Sequence, residues 1–313
     1  MLPSLKALVT ATALTTLPAI TASAATVTFD YTGSIVSWTV PTTAQYVITA
    51  TGANGGNGNG IGGAVIPGGK GAVMGGTLTL TAGTQLSILV GGTSLTNNLG
   101  AGGGGGGTFV VIPHSTNPTP LVIAGGGAGS GFQGIVGGAP SLHYIGTDGS
   151  VDLGTNPGFG GLQTTGTATL RSATGAGLLG SGVAGVKHTL ASAHSTATGG
   201  DSFILGGAGG IGTTNHGGFG GGAGAFRSQA RNVVFQPGGA GGGYTGGDAI
   251  DFGVARGGYS FLDQAALNPI RISGGNTFTH GHGQVTIAPV IVPEPSTTAL
   301  LALAALPALR RRR

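Results

Sequence analysis

The sequence predicts an all-β protein with glycine-rich insertions, and three observations predict it. Short β-like segments are separated by glycine, several alternate apolar with polar residues, and no body segment longer than about ten residues carries helical periodicity. The candidate strands are 26–31, 45–51, 76–81, 85–90, 108–112, 121–124, 232–235, 271–272 and 284–288. In Thr77-Leu78-Thr79-Leu80-Thr81 the leucines are expected to face a core and the threonines solvent or a neighbouring strand. Ala82-Gly83-Thr84, between two such runs, has the length and glycine of a hairpin turn.

Glycine is the dominant fact of composition. All 70 glycines of the 313 residues lie between Gly33 and Gly283, and both chain ends lack them. Against alanine each costs roughly 0.5–1 kcal/mol in regular structure. Seventy of them represent tens of kcal/mol, more than the roughly 5–15 kcal/mol net stability of a domain, so the fold must require them. The collagen period is absent, because runs such as Gly102 to Gly107 alternate with strand-like segments such as Leu121 to Ala124. Low-complexity disorder pairs low hydrophobicity with high charge, whereas 39% of this chain is apolar and 6% charged. A packed fold without cysteine follows, with no disulfides to support it.

The formal charge of +4 belongs to the ends, where Lys6 and four terminal arginines lie. Between Thr26 and Pro289 seven basic residues balance seven acidic ones. A neutral body lacks the electrostatic footprint of a nucleic-acid binder, so no DNA or RNA partner is expected.

Residues 1–25 read as a secretory signal. Lys6 supplies the positive region, Ala7 to Ile20 the apolar one, and Ala22-Ser23-Ala24 the small residues that signal peptidase accepts, with cleavage after Ala24 or Ala25. The glycine-rich β domain then spans 26–289, and residues 290–313 form a second terminal signal. There Val292-Pro293-Glu294-Pro295-Ser296-Thr297 precedes an apolar run, 298–309, and the cluster Arg310, Arg311, Arg312 and Arg313. This order resembles a PEP-CTERM sorting signal, the tail of Gram-negative exported proteins that exosortases process. The resemblance implies cutting near Val292, Pro293, Glu294 and Pro295, with the arginines orienting a transient membrane anchor by the positive-inside rule. The apolar run has twelve residues, about 18 Å of helix against a hydrocarbon core of about 30 Å. Pro307 interrupts it.

Within the body, Trp38 to Pro41, Gln45 to Gly56, Gly69 to Ala72 and Gly83 to Gly92 follow one another in an informative order. Gly102 to Val111, Leu121 to Gly127, Gly217 to Gly224, Gly238 to Gly247 and Gly281 to Ile287 continue it. The series resembles the glycine-rich extracellular domain of anaplastic lymphoma and leukocyte receptor tyrosine kinases and of bacterial glycine-rich surface proteins. That resemblance implies a jelly-roll-like β-sandwich with insertions forming a polyglycine II helix bundle. Such strands have no internal hydrogen bonds, so their buried amides must pair laterally, and close packing leaves no room for side chains. Residues 140–199 match least and read as a variable insertion.

No catalytic, cofactor or metal motif stands out. Lys70 is followed by Gly71 and no glycine stands at position 64, so there is no P-loop. Asp251-Phe252-Gly253 has no kinase catalytic loop beside it. His114, His143, His188, His194, His216, His280 and His282 show no zinc-ligand spacing. The pair His280-Gly281-His282, before the last strand, reads as structural, and the single Gly246-Gly247-Asp248 stretch lacks the successive copies a calcium repeat needs. Trp38 and Tyr46 are expected in the core, whereas Phe219, Phe226, Tyr244 and Tyr259 are the candidates for a binding surface between tracts.

The function expected is that of a non-enzymatic exported protein, structural or adhesive, at the cell surface or in the extracellular matrix of a biofilm. Exosortase and signal peptidase are its processing partners, and extracellular polysaccharide or a surface ligand its contact. The alternative is an adhesin- or receptor-like recognition module using loops between the tracts, 140–199 foremost.

Overall fold

The computed structural model describes residues 25–59, 64–94, 100–135, 138–144, 146–163, 170–187, 196–230, 233–250 and 255–291. Among them there is no α-helix, only the 3-10 turn Phe203–Leu205. The strands are β1 (Val27–Asp30), β2 (Ile35–Thr39), β3 (Ala44–Thr51), β4 (Gly58–Asn59), β5 (Val65–Ile66), β6 (Val73–Leu80), β7 (Gln85–Leu89) and β8 (Thr108–Ile112). They continue as β9 (Thr119–Ala124), β10 (Gly131–Ile135), β11 (Gly138–Tyr144), β12 (Ser228–Ala230), β13 (Val233–Gln236), β14 (Phe261–Leu262), β15 (Leu267–Ile272) and β16 (Gln284–Pro289).

Two five-stranded antiparallel sheets, β1-β16-β3-β6-β15 and β14-β9-β8-β7-β2, carry the main core. The first contributes Tyr46, Ile48, Met74, Leu78, Leu80, Val285 and Ile287, and the second Leu86, Ile88, Val110, Leu121 and Val122. Alternation places them: along β3, Tyr46, Ile48 and Ala50 are buried between less buried neighbours, as a period of two requires. Trp38 packs edge-on against Tyr46 with centroids 6.0 Å apart, so both expected core anchors lie there. The strands β8 and β9 are apolar on both faces for a different reason. Val110 and Val122 face the other sheet, while Phe109, Val111 and Ile123 form a second core with Leu178 and Phe203. A sheet covered on both sides needs continuous apolar runs.

The threonine–leucine alternation holds, with Leu78 and Leu80 buried and Thr79 exposed, although Thr77 is buried as well. The turn at Ala82-Gly83-Thr84 departs from the hairpin expectation. It passes from β6 in one sheet to β7 in the other, because β6 already pairs with β3 and β15 and β7 with β2 and β8. Its geometry is still tight: the Thr84 N–H reaches the Thr81 carbonyl at 3.1 Å, and Gly83 takes φ +84°.

Glycine tracts leave these sheets at one end. β3 runs directly into Gly52, β9 into Gly125, and β8 and β16 emerge from Gly107 and Gly283. Antiparallel pairing brings those strand ends side by side. Beyond them the backbone makes a lattice with a three-residue period, clearest at Gly102 to Gly107. Gly102 and Gly105 donate to Ser130 and Gly127, Gly104 and Gly107 to Ala223 and Gly220, and Gly106 to Gly92, with Gly103 reaching the Ser94 hydroxyl. The carbonyls repeat likewise: Gly102 and Gly105 accept from Gly239 and Gly242, Gly103 and Gly106 from Gly56 and Ala53. The neighbouring tract follows suit, Gly126 and Gly129 donating to Gly242 and Gly239. Lateral pairing thereby satisfies buried amides that have no partner within their own segment.

Space, rather than backbone angle, fixes most of these glycines. Gly104 is not among the positive-φ residues, yet a Cβ there would stand 1.9 Å from the Ala240 carbonyl oxygen, and one at Gly105 would stand 2.5 Å from that of Ala53. Described parts of 140–199 belong to the same lattice: the Gly149 N–H donates to Lys70, Ser150 to Gly258 and Ala176 to Gly221. They are woven into the fold.

Gly104→Val is therefore expected to abolish folding of the body. Gly83→Ala, with nothing within 4 Å of its Cβ but φ +84°, should cost only about 1–2 kcal/mol. Thermal unfolding followed by circular dichroism compares them, and a Gly104→Val variant melting like wild type would refute the packed lattice.

Candidate functional site

Where strands become tracts, buried polar side chains engage amides that neither sheet nor lattice reaches. Thr108 Oγ1 accepts from the Gly91 N–H at 3.0 Å and donates to the Thr51 carbonyl at 2.6 Å. Ser260 Oγ accepts from the Gly125 N–H and donates to the Ser150 carbonyl. Asn276, 1% exposed, donates through Nδ2 to the carbonyls of Gly52 and His282 and accepts the Phe278 N–H on Oδ1.

Asn276 thereby anchors the loop that carries an aromatic ladder. Tyr31 and His282 stack with centroids 4.3 Å apart and planes at 7°. His280 follows at 5.6 Å from His282, and Phe278 stacks on His280 at 5.3 Å. His282 Nδ1 accepts from the Thr93 N–H at 3.1 Å, and His280 Nδ1 accepts from the His282 N–H at 3.0 Å, which leaves each Nε2 protonated. Burial, and secondarily the nearness of His280, hold His282 below the ordinary histidine range.

The outer end of the ladder walls a recess of about 280 Å3, with Asn54 to Asn57, Thr93 and Ser94 opposite. Asn54 Oδ1 accepts the Gly71 N–H at 2.9 Å and Asn57 Oδ1 the Gly68 N–H at 3.0 Å. These bonds fix both amides and leave their Nδ2 donors without a partner among the described residues. Among the described residues no acidic one lines the recess.

A second groove carries charged side chains of both signs. Hollows of about 600 and 370 Å3 share Asp152 and Tyr259, and between them expose Asp148, Arg256 and Arg271. The Tyr259 hydroxyl donates to Asp248 at 2.9 Å, and burial pushes its pKa up, so it keeps its proton. The hydrogen bond to Tyr259 in turn raises Arg256. Asp148 is held by the Lys70 N–H at 2.7 Å.

Of the expected surface aromatics only some are placed for contact. Phe226 is fully buried with Leu170 and Ala173, and Tyr244 packs on Phe261 at the second core. Phe226 is thus core, because the lattice leaves an apolar hollow that a large ring fills. Phe219 meets Tyr31 edge-on at 6.3 Å, and Tyr259 lines the second groove. Asp248 is occupied by the Leu162 N–H and Tyr259, and among the described residues no three His, Cys, Asp or Glu groups gather as a metal set. The expected signal-peptidase residues Ala22 and Ala24, the motif Val292 to Pro295 and Arg310 to Arg313 lie outside the described residues, and Ala25 stands exposed at their start. Residue spacing could not announce the recess, because it joins segments near positions 54, 93 and 278 that are distant in sequence. Neither the protein-family models nor the curated proteins contain a match to this chain.

The neutral, half-buried form of His282 ties stability to pH. Its folded value lies below its unfolded one, so the contribution is complete above about pH 6.5 and is lost as the pH falls toward the folded value. Wild type should melt at lower temperature at pH 5 than at pH 8, and His282→Phe, which retains a ring on Tyr31, should flatten that difference. An unchanged pH dependence in His282→Phe would show that other groups govern it.

Proposed function

We propose that this is a non-enzymatic exported protein whose body serves as a structural or adhesive element at the surface, or in the extracellular matrix, of a Gram-negative bacterium. Its terminal signals, with processing by signal peptidase and exosortase, are read from the residues given above. The body is read as a jelly-roll-like sandwich extended by a polyglycine II bundle. The observation that carries this reading is the three-residue period of backbone bonds at Gly102 to Gly107. An extended threefold helix repeats its direction every three residues, and a bundle of such helices is a rigid body that projects few side chains. Such a body supplies shape and persistence rather than reaction chemistry.

A recognition role has one specific observation in its favour, the aromatic recess with its unpartnered amides. It does not require a dispensable loop: because Ala176 and Ser150 bond into the lattice, deletion of 140–199 is expected to unfold the body.

Mass spectrometry of the protein recovered from native biofilm tests the sorting step. The expected mature chain begins near Thr26 and ends close to Pro293. Recovery with Arg313 intact, or from the cytoplasm alone, would overturn the reading.

A further inference from the structure

The chemistry of the recess between Asn54 to Asn57 and Phe278 to Gly281 is asymmetric. Its wall is a pair of stacked rings, Phe278 on His280, with His280 exposed. Its available polar groups are mainly donors. Asn54 and Asn57 have committed their carbonyl oxygens to Gly71 and Gly68, so that only Nδ2 hydrogens remain. His280 has committed Nδ1 to the His282 N–H, so that only Nε2–H remains. Thr93 donates its hydroxyl to the Asn54 carbonyl, and Ser94 donates to the His216 carbonyl, so neither hydroxyl hydrogen is available. Because both amides are oriented by lattice N–H groups, the donors are held in place before any ligand arrives, which reduces the ordering cost of binding.

We infer that this recess binds a uronate unit of an acidic polysaccharide, its ring face against Phe278 and its carboxylate and hydroxyl oxygens on the Asn54, Asn57 and His280 donors. The flat C–H face of a pyranose suits the electron-rich face of a ring. Its oxygens supply the acceptors that the donors lack, and a carboxylate strengthens those bonds because it is charged. Among the described residues the lining has no acidic side chain to repel it. At about 280 Å3 the recess falls just below the roughly 300–1,000 Å3 range of ligand pockets, a size for one sugar unit in a chain. This assignment rests on the matrix-associated reading and names the chemical class it contacts.

The test is isothermal titration of the purified mature protein with oligogalacturonate and, as a neutral comparison, dextran of equal length. Wild type should bind the uronate at least about tenfold more tightly than the dextran. Asn57→Asp keeps an oxygen for the Gly68 N–H but replaces the donors with negative charge. It should weaken uronate binding about tenfold or more without lowering the melting temperature. Phe278→Ala should weaken it independently, and Arg271→Ala, in the other groove, should leave it unchanged. Equal affinity for both polymers, undiminished binding by both Asn57→Asp and Phe278→Ala, or loss confined to Arg271→Ala would overturn the assignment. Cosedimentation of wild type with native matrix separates the two readings. Retention without uronate binding refutes the uronate site alone, whereas no retention counts against the matrix-associated reading itself.

Discussion

The rest of the structure depends on one constraint: buried backbone amides that cannot bond within their own segment must bond sideways, at distances that exclude a Cβ. Gly104 illustrates it, its N–H on Ala223 and its carbonyl under the Gly218 N–H, with the Ala240 carbonyl where a side chain would begin. The entropic cost of glycine is offset collectively, because each tract supplies partners for several others. Alanine also enters the lattice, and Ala128, Ala240 and Ala255 pack on one another. A lattice of this kind cannot start itself, since a lone extended glycine segment has nothing to pair with. The two sheets solve that problem by holding β3, β8, β9 and β16 in register, so that the tracts leaving them begin alongside one another.

Much of the two-sheet core is legible in sequence because it obeys a two-residue period and a strand period needs only local information. The strands expected at 45–51, 85–90 and 108–112 are found as Ala44–Thr51, Gln85–Leu89 and Thr108–Ile112. Ile35 to Thr39 was not among the expected strands, because its serine and its exposed isoleucine blur the alternation of an edge strand. The sheet change at Gly83 was illegible for another reason: a turn residue specifies a reversal, while the sheet that each arm joins depends on partners far along the chain. The lattice pairing is still less local. Glycine has no side chain to vary, so Gly102 carries no mark that distinguishes Gly239 from any other donor.

The same physics governs where recognition chemistry can be placed. Within the lattice a large functional side chain would break the packing, and several polar side chains collect where tracts give way to strands. Thr108, Ser260 and Asn276 do so in the interior, completing amides that the change from sheet to lattice would otherwise strand. Asn54, Asn57 and His280 do so at the surface, and there a second outcome arises. An amide whose oxygen is fixed by the lattice must direct its hydrogens elsewhere, and at the rim that direction is solvent. A group recruited to satisfy backbone geometry therefore becomes a rigid donor for a ligand. The histidines could be seen in sequence, but their companions could not, since Asn54 and Asn57 acquire meaning only from the N–H groups of Gly71 and Gly68. A body made almost wholly of backbone thus confines its chemical specificity to its seams, and the recess beside Phe278 is the seam where rings and oriented donors meet.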